Sequence, residues 1–298
     1  MSNGRDIKPG TTIGIIGFGA FGQLIARHVG PYFRLCAYDP APGLQPIAWC
    51  HGVALTSLEM AASCPVVVLA TPVGRLQEVV DAAAPHIRPG TLVLDVGSVK
   101  LGPADIMKRG LPEHAEIVAT HPLFGPQSAR EGIAGLKIAV CPIKGRRCFR
   151  LAAFLRHQLR LNVIMTTPED HDREAATVQG LTHLIAKVLV QMEPLPKRMT
   201  TKSFDLLLEA VNMVRHDAPE VFQAIESANP YSSSVRRRFF ELASALNAEL
   251  TEGLCRSAPS RPTARKAEAA LQSIRRRLRR PTDRKWNISM ATIRTALP

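Results

Sequence analysis

A short apolar run, Thr12–Ile16, leads directly into a glycine pattern, Gly17-Phe18-Gly19-Ala20-Phe21-Gly22. A GxGxxG between a strand and a helix is typical of a dinucleotide-binding unit. The first glycine permits a tight turn, the second lets a pyrophosphate approach the backbone, and the third lets the helix pack against the strand. Free amides at the start of the helix bind the phosphates. This pattern constrains the fold most, because it predicts a parallel sheet covered by helices.

A carboxylate follows the second predicted strand. Asp39 comes directly after Arg34–Tyr38, 22 residues beyond the first glycine. There a carboxylate accepts hydrogen bonds from the ribose of NAD and repels the extra phosphate of NADP. No arginine follows immediately, so the sequence favours NAD, with NADP as the alternative. Thr71 and Pro72, just past a later strand, are expected to line the nicotinamide side. The competing interpretation is ordinary turns and a surface carboxylate.

Strand-like and helix-like segments alternate over roughly the first 165 residues, and only helices are predicted afterwards. This alternation predicts an α/β fold, with an N-terminal Rossmann-type, doubly wound, mostly parallel sheet and a C-terminal all-helical domain. We predict domains at 1–166, 167–254 and 255–298, the last a disordered basic tail with a helix near 266–280. The predicted strands are Thr12–Ile16, Arg34–Tyr38, Val66–Ala70, Thr91–Val96, Glu116–Ala119, Lys137–Cys141 and Asn162–Met165.

The charge of the chain is concentrated in that tail. Residues 255–298 hold 12 Lys+Arg and 2 Asp+Glu, and so carry +10 of the total net charge of +13. We therefore expect no nucleic-acid role for the body of the protein. No apolar run reaches the roughly 18 residues of a membrane span, and the N-terminus does not resemble a signal peptide. Six cysteines without a CxxC pair indicate reduced thiols in a cytoplasmic protein, and we expect no metal site.

Unusual side chains follow two of the later strands. One strand opens into Gly97-Ser98-Val99-Lys100, and another into Thr120-His121-Pro122. Ligands of open α/β sheets bind at the carboxyl ends of the strands. An imidazole there is suited to accept the proton of a hydroxyl whose carbon loses hydride. Considered alone, His121 is equally consistent with a structural turn histidine.

The motifs DVGSVK at 95–100 and HPLFGP at 121–126, behind a GxGxxG, resemble the prephenate/arogenate dehydrogenase family of tyrosine biosynthesis. The stretch EDHDREAATVQGLTHLIAKVL at 169–189 is similar to the second domain of that family, and the plant-type arogenate branch is closest in pattern. The resemblance covers about residues 12–250. It implies a metal-free oxidative decarboxylation of prephenate to 4-hydroxyphenylpyruvate, of arogenate to tyrosine, or of both. It also implies a homodimer. Because the first strand starts by Thr12 and the 48 residues after Leu250 are few and polar, we expect neither the mutase nor the regulatory domain that is sometimes fused in the family.

The resemblance assigns roles to individual residues. It implies that His121 accepts the proton of the ring hydroxyl, and that Ser98 hydrogen-bonds the same hydroxyl and orients His121. It places Gln179 and His183 against the substrate.

The helix predicted from Pro168 provides a face for these substrate residues. Four of its residues, at spacings of four, three and four, fall close to one face: Asp172, Ala176, Gln179 and His183. An ordinary polar face on a buried helix is the competing interpretation. His171 lies about 120° round the helix from His183, so we expect it to be a helix-start or interdomain residue.

One departure from the family pattern leaves the choice between prephenate and arogenate open. Many members carry an arginine-rich FRD motif that holds a substrate carboxylate, whereas this chain has Ser203-Phe204-Asp205-Leu206-Leu207. Arg130, Lys100 or Arg215 is expected to substitute. Prephenate and arogenate differ by a keto against an amino group. The plant-like second domain favours arogenate, while Asp39 is untypical of that branch.

Two other classes of function remain as alternatives. One is another oxidoreductase on the same Rossmann-plus-helices plan, similar to β-hydroxyacid dehydrogenases or imine reductases, which would leave HPLFGP without a purpose. The other is a nucleotide-binding protein that attracts polyanions through its basic tail by counterion release.

Overall fold

The computed structural model describes the backbone of residues 11–257 and the side chains of residues 11–252. The disordered tail and the helix near 266–280 that we predicted lie outside the described residues, except that the last described helix includes residues 255–257. Within the described part, no helix is both long enough and apolar enough to cross a membrane. The five cysteines whose side chains are described are all free thiols.

A single eight-stranded sheet forms the centre of the structure, in the order β3-β2-β1-β4-β5-β6-β7-β8. All neighbouring strands are parallel except β6 and β7. The predicted doubly wound, mostly parallel sheet is therefore confirmed. The strands are β1 (Thr12–Ile16), β2 (Arg34–Tyr38), β3 (Ala54–Leu55), β4 (Val66–Leu69), β5 (Leu92–Asp95), β6 (Glu116–Pro122), β7 (Lys137–Lys144) and β8 (Asn162–Met165).

Helices follow the strands and then continue alone after β8. The helices are α1 (Ala20–Val29), α2 (Gln45–Cys50), α3 (Leu58–Ala62), α4 (Leu76–Ala83), α5 (Leu101–Gly110), α6 (Cys148–His157), α7 (Pro168–Gln191), α8 (Lys202–Val214), α9 (Pro219–Gln223) and α10 (Ser232–Ser257). Two short 3₁₀ turns, Val73–Arg75 and Ala84–His86, flank α4, and a π-helical turn, Ala224–Ala228, follows α9.

The two faces of the sheet are covered differently. Helices α1 and α6 pack on one face, and α3, α4 and α5 pack on the other. Along β4, Val66 and Val68 face the first core, while Val67 and Leu69 face the second. Burial on both sides explains why the strands are nearly continuous apolar runs, as parallel sheets require.

The largest difference from the sequence prediction is the length of β6. We placed His121 in a loop after a strand ending at Ala119, but β6 continues to Pro122, and His121 pairs with Ala139 of antiparallel β7. Pairing with β7 satisfies the backbone of this segment and extends the strand. Helix α5, which contains Gly102 and Pro103, was not predicted either. Proline is nevertheless compatible with the first turn of a helix.

Helix α7 begins as its sequence predicts. The Thr167 hydroxyl accepts a hydrogen bond from the Asp170 amide at 3.1 Å, with Pro168 in the first turn. The described residues up to Glu241 form one compact unit, and those from Leu242 onward belong to a second. The division of the chain at residues 166 and 254 stays a prediction.

Candidate active site

The glycine loop after β1 has the geometry of a phosphate cradle. Gly17 has a φ of +99°, and a Cβ there would lie 2.4 Å from the Ala70 carbonyl oxygen. A Cβ at Gly22 would lie 2.3 Å from the Gly17 oxygen, whereas nothing lies within 4 Å of the same position at Gly19. The first and third glycines are thus required by packing, and the second leaves open space for a ligand. No side chain caps the start of α1, so its amides stay free for an anion.

Asp39 closes one side of this cradle. Its carboxylate accepts hydrogen bonds from the Phe18 amide at 2.6 Å and the Ala41 amide at 2.8 Å. The carboxylate is therefore fixed beside the glycine loop, with acceptor capacity left over. Arg75 is a neighbour that sequence reasoning missed. Its pKa is raised by its hydrogen bond and charge interaction with Glu78, with a smaller contribution from Asp39.

Thr71 lies against the other side of the loop, as predicted. A Cβ at Gly17 would be 3.1 Å from its Cγ2, and the buried Thr71 Oγ1 has no hydrogen-bond partner in the part of the chain that the structure describes. Pro72 follows it and is exposed. The open position at Gly19 and the unsatisfied hydroxyl of Thr71, a residue next to the loop, fit a polar dinucleotide ligand.

A buried ion pair lies at the next strand ends. The Lys100 ammonium is fully buried and donates to Asp95 Oδ2 at 2.5 Å and to the Thr120 carbonyl at 2.6 Å. Asp95 also accepts from the Gly97 amide at 3.0 Å and the Thr120 amide at 3.3 Å. Lys100 therefore links β5 to β6. The Lys100 ammonium is fully buried and two of its three N–H donors are used inside the protein, so the structure does not favour Lys100 as the residue that holds a substrate carboxylate.

A chain of hydrogen bonds runs from α5 through α7 to His121. Asp172 accepts from the amides of Lys100 at 2.7 Å and Leu101 at 2.9 Å, so its carboxylate caps α5. The same carboxylate contacts His171 Nδ1 at 2.8 Å, and His171 Nε2 contacts His121 Nδ1 at 2.8 Å.

The donor and acceptor of each hydrogen bond in this series follow from the Asp172 carboxylate at its end. The Asp172 carboxylate accepts the His171 Nδ1 proton in addition to two amides, so the lone pair lies on Nε2 whenever His171 is neutral. His121 Nδ1 then donates to that lone pair. As a result, Nε2 of neutral His121 is left as a proton acceptor.

His121 is held in its neutral form. Its side chain is buried, and burial lowers the pKa of its imidazole well below the usual value, with further contributions from His171 and the Lys100 charge. An imidazole that resists protonation remains a base in mildly acidic solution. Burying an imidazole also costs free energy, which indicates that the burial of His121 serves a function.

Helix α7 brings two more predicted residues to the same place. Asp172, Ala176 and His183 are buried and Gln179 is half-buried, so the predicted face is confirmed as the packed one. Gln179 Nε2 lies 3.5 Å from His121 Nε2, and Gln179 Oε1 is buried without a partner among the described residues. The side-chain amide of Gln179 thus lies beside His121 Nε2.

His183 introduces an acidic partner that sequence reasoning missed. Its Nδ1 donates to the Gln179 carbonyl at 3.0 Å, and its Nε2 lies 3.2 Å from Asp217 Oδ2. Both partners are oxygen acceptors, so each ring nitrogen of His183 faces an acceptor. The Asp217 side chain is 25 % exposed, and its other oxygen lies 3.9 Å from the position of a Cβ on Gly125.

Other predicted residues are less directly placed. Ser98 is half-buried in the loop after β5, and His171, rather than Ser98, hydrogen-bonds His121 Nδ1. The contact of Ser98 with a substrate hydroxyl stays a prediction. Of the remaining candidates for a substrate carboxylate, Arg215 binds Glu193 at 3.1 Å, while Arg130 is exposed.

Comparison with known proteins adds the family context. Residues 27–143 match the family model described as the nucleotide-binding domain of prephenate dehydrogenase, a segment that begins after the glycine loop. Arogenate dehydrogenase 1, chloroplastic, from Arabidopsis thaliana is 26% identical over 248 residues, which are 80% of this chain and 39% of that protein.

A Methanocaldococcus jannaschii protein named probable arogenate/prephenate dehydrogenase is 26% identical over 202 residues, which are 63% of this chain and 44% of that protein. This chain therefore spans about two fifths of the length of the curated relatives it matches. The solved structure of Aquifex aeolicus prephenate dehydrogenase, in complex with hydroxyphenyl propionate and NAD+, has a TM-score of 0.64 at 20% identity. That match covers 90% of this chain and 97% of that structure, and it shows a shared fold.

The lowered pKa of His121 makes a prediction about stability. Below pH about 6.5 the unfolded chain protonates this imidazole and the folded protein does not. The free energy of unfolding should therefore decrease as the pH falls through 6.5, by up to about 1.4 kcal/mol per pH unit from this one group. Urea denaturation between pH 5 and pH 8 measures this slope.

His121→Asn should reduce the slope, because the variant has no imidazole to titrate. His157→Asn, at an exposed position of α6, is the matched control and should retain the slope of the wild type. Identical slopes for all three proteins would show that His121 is not held neutral.

Proposed function

We propose that this chain, whose family-model match and curated relatives support the prephenate/arogenate dehydrogenase family, catalyses a nicotinamide-dependent oxidative decarboxylation. The substrate is a cyclohexadienyl ring that carries a hydroxyl and a carboxylate, either prephenate or arogenate. The product ring is aromatic, so the reaction belongs to tyrosine biosynthesis.

The observation that carries this proposal is the hydrogen-bond chain that ends on His121. It supports a neutral acceptor at Nε2, on a strand whose carboxyl end lies at the same edge of the sheet as the glycine loop. Oxidation of an alcohol requires an acceptor for its proton while the carbon loses hydride. The residues of the loop fit a dinucleotide, and when bound it supplies the hydride acceptor.

The protein residues have distinct parts in this reaction. His121 Nε2 accepts the proton of the ring hydroxyl, and Ser98 hydrogen-bonds the same hydroxyl. The imidazolium that forms keeps its Nδ1 hydrogen bond to His171, and the Asp172 carboxylate at the end of the chain compensates part of the new charge. Gln179, beside Nε2, orients the ring. A general base positioned in this way contributes about 100-fold or more to the rate.

We favour arogenate as the preferred substrate because of Asp217. Arogenate carries an ammonium group where prephenate carries a keto group. A partly exposed carboxylate next to His183 provides a partner for an ammonium and none for a ketone. His183 and Gln179 contact the substrate from the same helix face. Arg130 is the candidate for the ring carboxylate, since Lys100 and Arg215 already have partners.

We propose NAD as the cofactor. Gly17, Phe18, Gly19, Ala20, Phe21 and Gly22 form the phosphate loop, Asp39 binds the ribose, and Thr71 and Pro72 line the nicotinamide side. The position of Asp39 supports this choice, because its carboxylate is fixed beside the loop. Arg75 interacts electrostatically with Asp39, and it is the residue that would bind the extra phosphate of NADP.

We also propose a homodimer in the cytoplasm. Exposed apolar side chains on α8 and α10 support an interface between two copies. Soluble monomers rarely expose several large apolar side chains close together on one surface. These side chains include Leu206, Leu207, Met213 and Phe240.

The direct test is a parallel rate comparison of prephenate and arogenate with each nicotinamide cofactor. We expect reduced cofactor, followed by its absorbance, to form fastest with arogenate and NAD. The Asp39→Ala variant should lose affinity for NAD more than for NADP. No turnover with any of the four combinations would reject the proposed function.

Replacing the base tests the role of His121 separately. His121→Asn should lower kcat by about 100-fold or more, because no group then accepts the hydroxyl proton. Its affinity for NAD, followed by fluorescence, should change little, since His121 does not belong to the glycine loop. If NAD binding is lost instead, His121 has a structural role.

The substrate preference is tested at Asp217. Asp217→Asn should lower kcat/KM for arogenate by about 10- to 100-fold, the usual effect of losing a hydrogen bond to a charged group. The value for prephenate should stay the same or rise. Asp105→Asn, on the exposed side of α5, is the matched control. An equal loss for both substrates would remove the argument for arogenate.

A further inference from the structure

Two cysteine thiols lie in contact on the face of the sheet that α3, α4 and α5 cover. Cys36 is the central residue of β2, and Cys64 lies between α3 and β4. Their sulfur atoms are 3.5 Å apart, although the two residues are separated by 28 positions in the chain. The fold therefore brings together two thiols that the sequence does not pair.

The backbone that carries each thiol is held in place. Cys36 pairs with β1 on one side of its strand and with β3 on the other. The Cys64 amide donates to the Ala61 carbonyl at 3.4 Å, and the Cys64 carbonyl accepts from the Thr91 hydroxyl at 3.2 Å. The two thiols therefore remain neighbours for as long as the sheet and α3 are folded.

The two thiols differ in their surroundings. Cys64 is buried, whereas Cys36 is half-buried. The hydrogen bond between them lowers the pKa of the Cys36 thiol, against a smaller opposing effect of burial, and it raises the pKa of the Cys64 thiol together with burial. The Met60 carbonyl, 3.6 Å from Cys64 Sγ, is a second acceptor for the Cys64 proton. Because the thiolate is the reactive form of cysteine, Cys36 is the nucleophile and Cys64 is its protonated partner.

An accessible, acidic thiol next to a second thiol is the usual arrangement of redox-sensing cysteines. We propose that Cys36 and Cys64 form a reversible redox site, at which a peroxide converts the two thiols into one disulfide bond. The free thiols of the structure are the reduced form of this site. Disulfides that form transiently in a reducing compartment are typically catalytic or redox-sensing. The inference goes beyond the proposed function and does not depend on it.

The reaction balances with hydrogen peroxide as the two-electron oxidant. The Cys36 thiolate attacks one peroxide oxygen, the O–O bond breaks, and hydroxide leaves, so that Cys36 becomes a sulfenic acid. The Cys64 sulfur then attacks the Cys36 sulfur. The S–S bond forms, and the sulfenic oxygen leaves as water with the proton of the Cys64 thiol. A reducing thiol restores both cysteines by exchange.

The disulfide would link β2 to α3 across β1. Gly14 of β1 pairs with Cys36, and the Ala61 carbonyl of α3 lies so close to Gly14 that a side chain there would not fit. The same strand β2 leads into Asp39 beside the glycine loop. A cross-link between residues 28 positions apart restricts the unfolded chain, so oxidation should stabilise this part of the sheet.

Hydrogen peroxide in small molar excess, added to the reduced full chain, tests the proposal. The remaining thiols are blocked with iodoacetamide, and the chain is digested without reductant. Cleavage before Asp39 and after Glu59 places Cys36, Cys50 and Cys64 on separate peptides, and mass spectrometry identifies the linked ones. We expect a linkage between Cys36 and Cys64. We also expect Tm to increase by about 5 °C or more, and dithiothreitol to reverse both changes.

Single variants separate the roles of the two thiols. In Cys64→Ser no second thiol is left to react, so dimedone should trap a sulfenic acid on Cys36. In Cys36→Ser the buried Cys64 should stay unmodified, because its thiol remains protonated. Cys50→Ser removes an exposed thiol and is the matched control. It should form the same disulfide as the wild type, with the same increase in Tm.

The peptide linkages of the wild type decide the site even if a variant does not fold. The proposal is wrong if peroxide forms no linkage between Cys36 and Cys64 in the folded protein, or forms it only after urea has unfolded the chain. It is also wrong if the linkage lowers Tm, or if peroxide modifies Cys64 in the Cys36→Ser variant.

Discussion

The buried ion pair between Lys100 and Asp95 is the constraint on which the candidate site depends. Transferring an ammonium from water into a protein interior costs several kcal/mol, unless it is paired and hydrogen-bonded. Lys100 meets that condition with the Asp95 carboxylate and the Thr120 carbonyl. Because these groups belong to the end of β5, the start of α5 and the residue before His121, one interaction fixes three segments relative to each other.

A second carboxylate connects this centre to the helical part of the chain. Asp172 caps α5 through the amides of Lys100 and Leu101, and it also orients His171. One side chain thus has two functions: it docks α7 on α5, and it directs the proton arrangement on His121. Burial of the site lowers the pKa of His121, with smaller contributions from His171 and from the positive charge of Lys100. Stability and proton acceptance are therefore properties of the same cluster.

Much of the fold could be read from local pattern. The glycine loop, the carboxylate after β2 and the polar face of α7 were all predicted from spacing within one or two elements, and the structure has them where they were expected. Helix α5 and the extension of β6 through His121 were missed, because pairing with β7 and capping by Asp172 decide them. The burial of Lys100 was not predicted either, because the sequence of a loop does not show whether a lysine in it is buried.

The sequence by itself determined the class of the fold, the presence of a dinucleotide loop and the identity of the candidate base, because each depends on residues close together in the chain. Only the tertiary structure decided how that base works. His171 lies 50 positions from His121, and Asp172 lies 72 positions from Lys100. Contacts across such separations leave no periodic signal, and they form only when the sheet and α7 pack together. Packing, rather than local preference, therefore decides which ring nitrogen of His121 contacts His171.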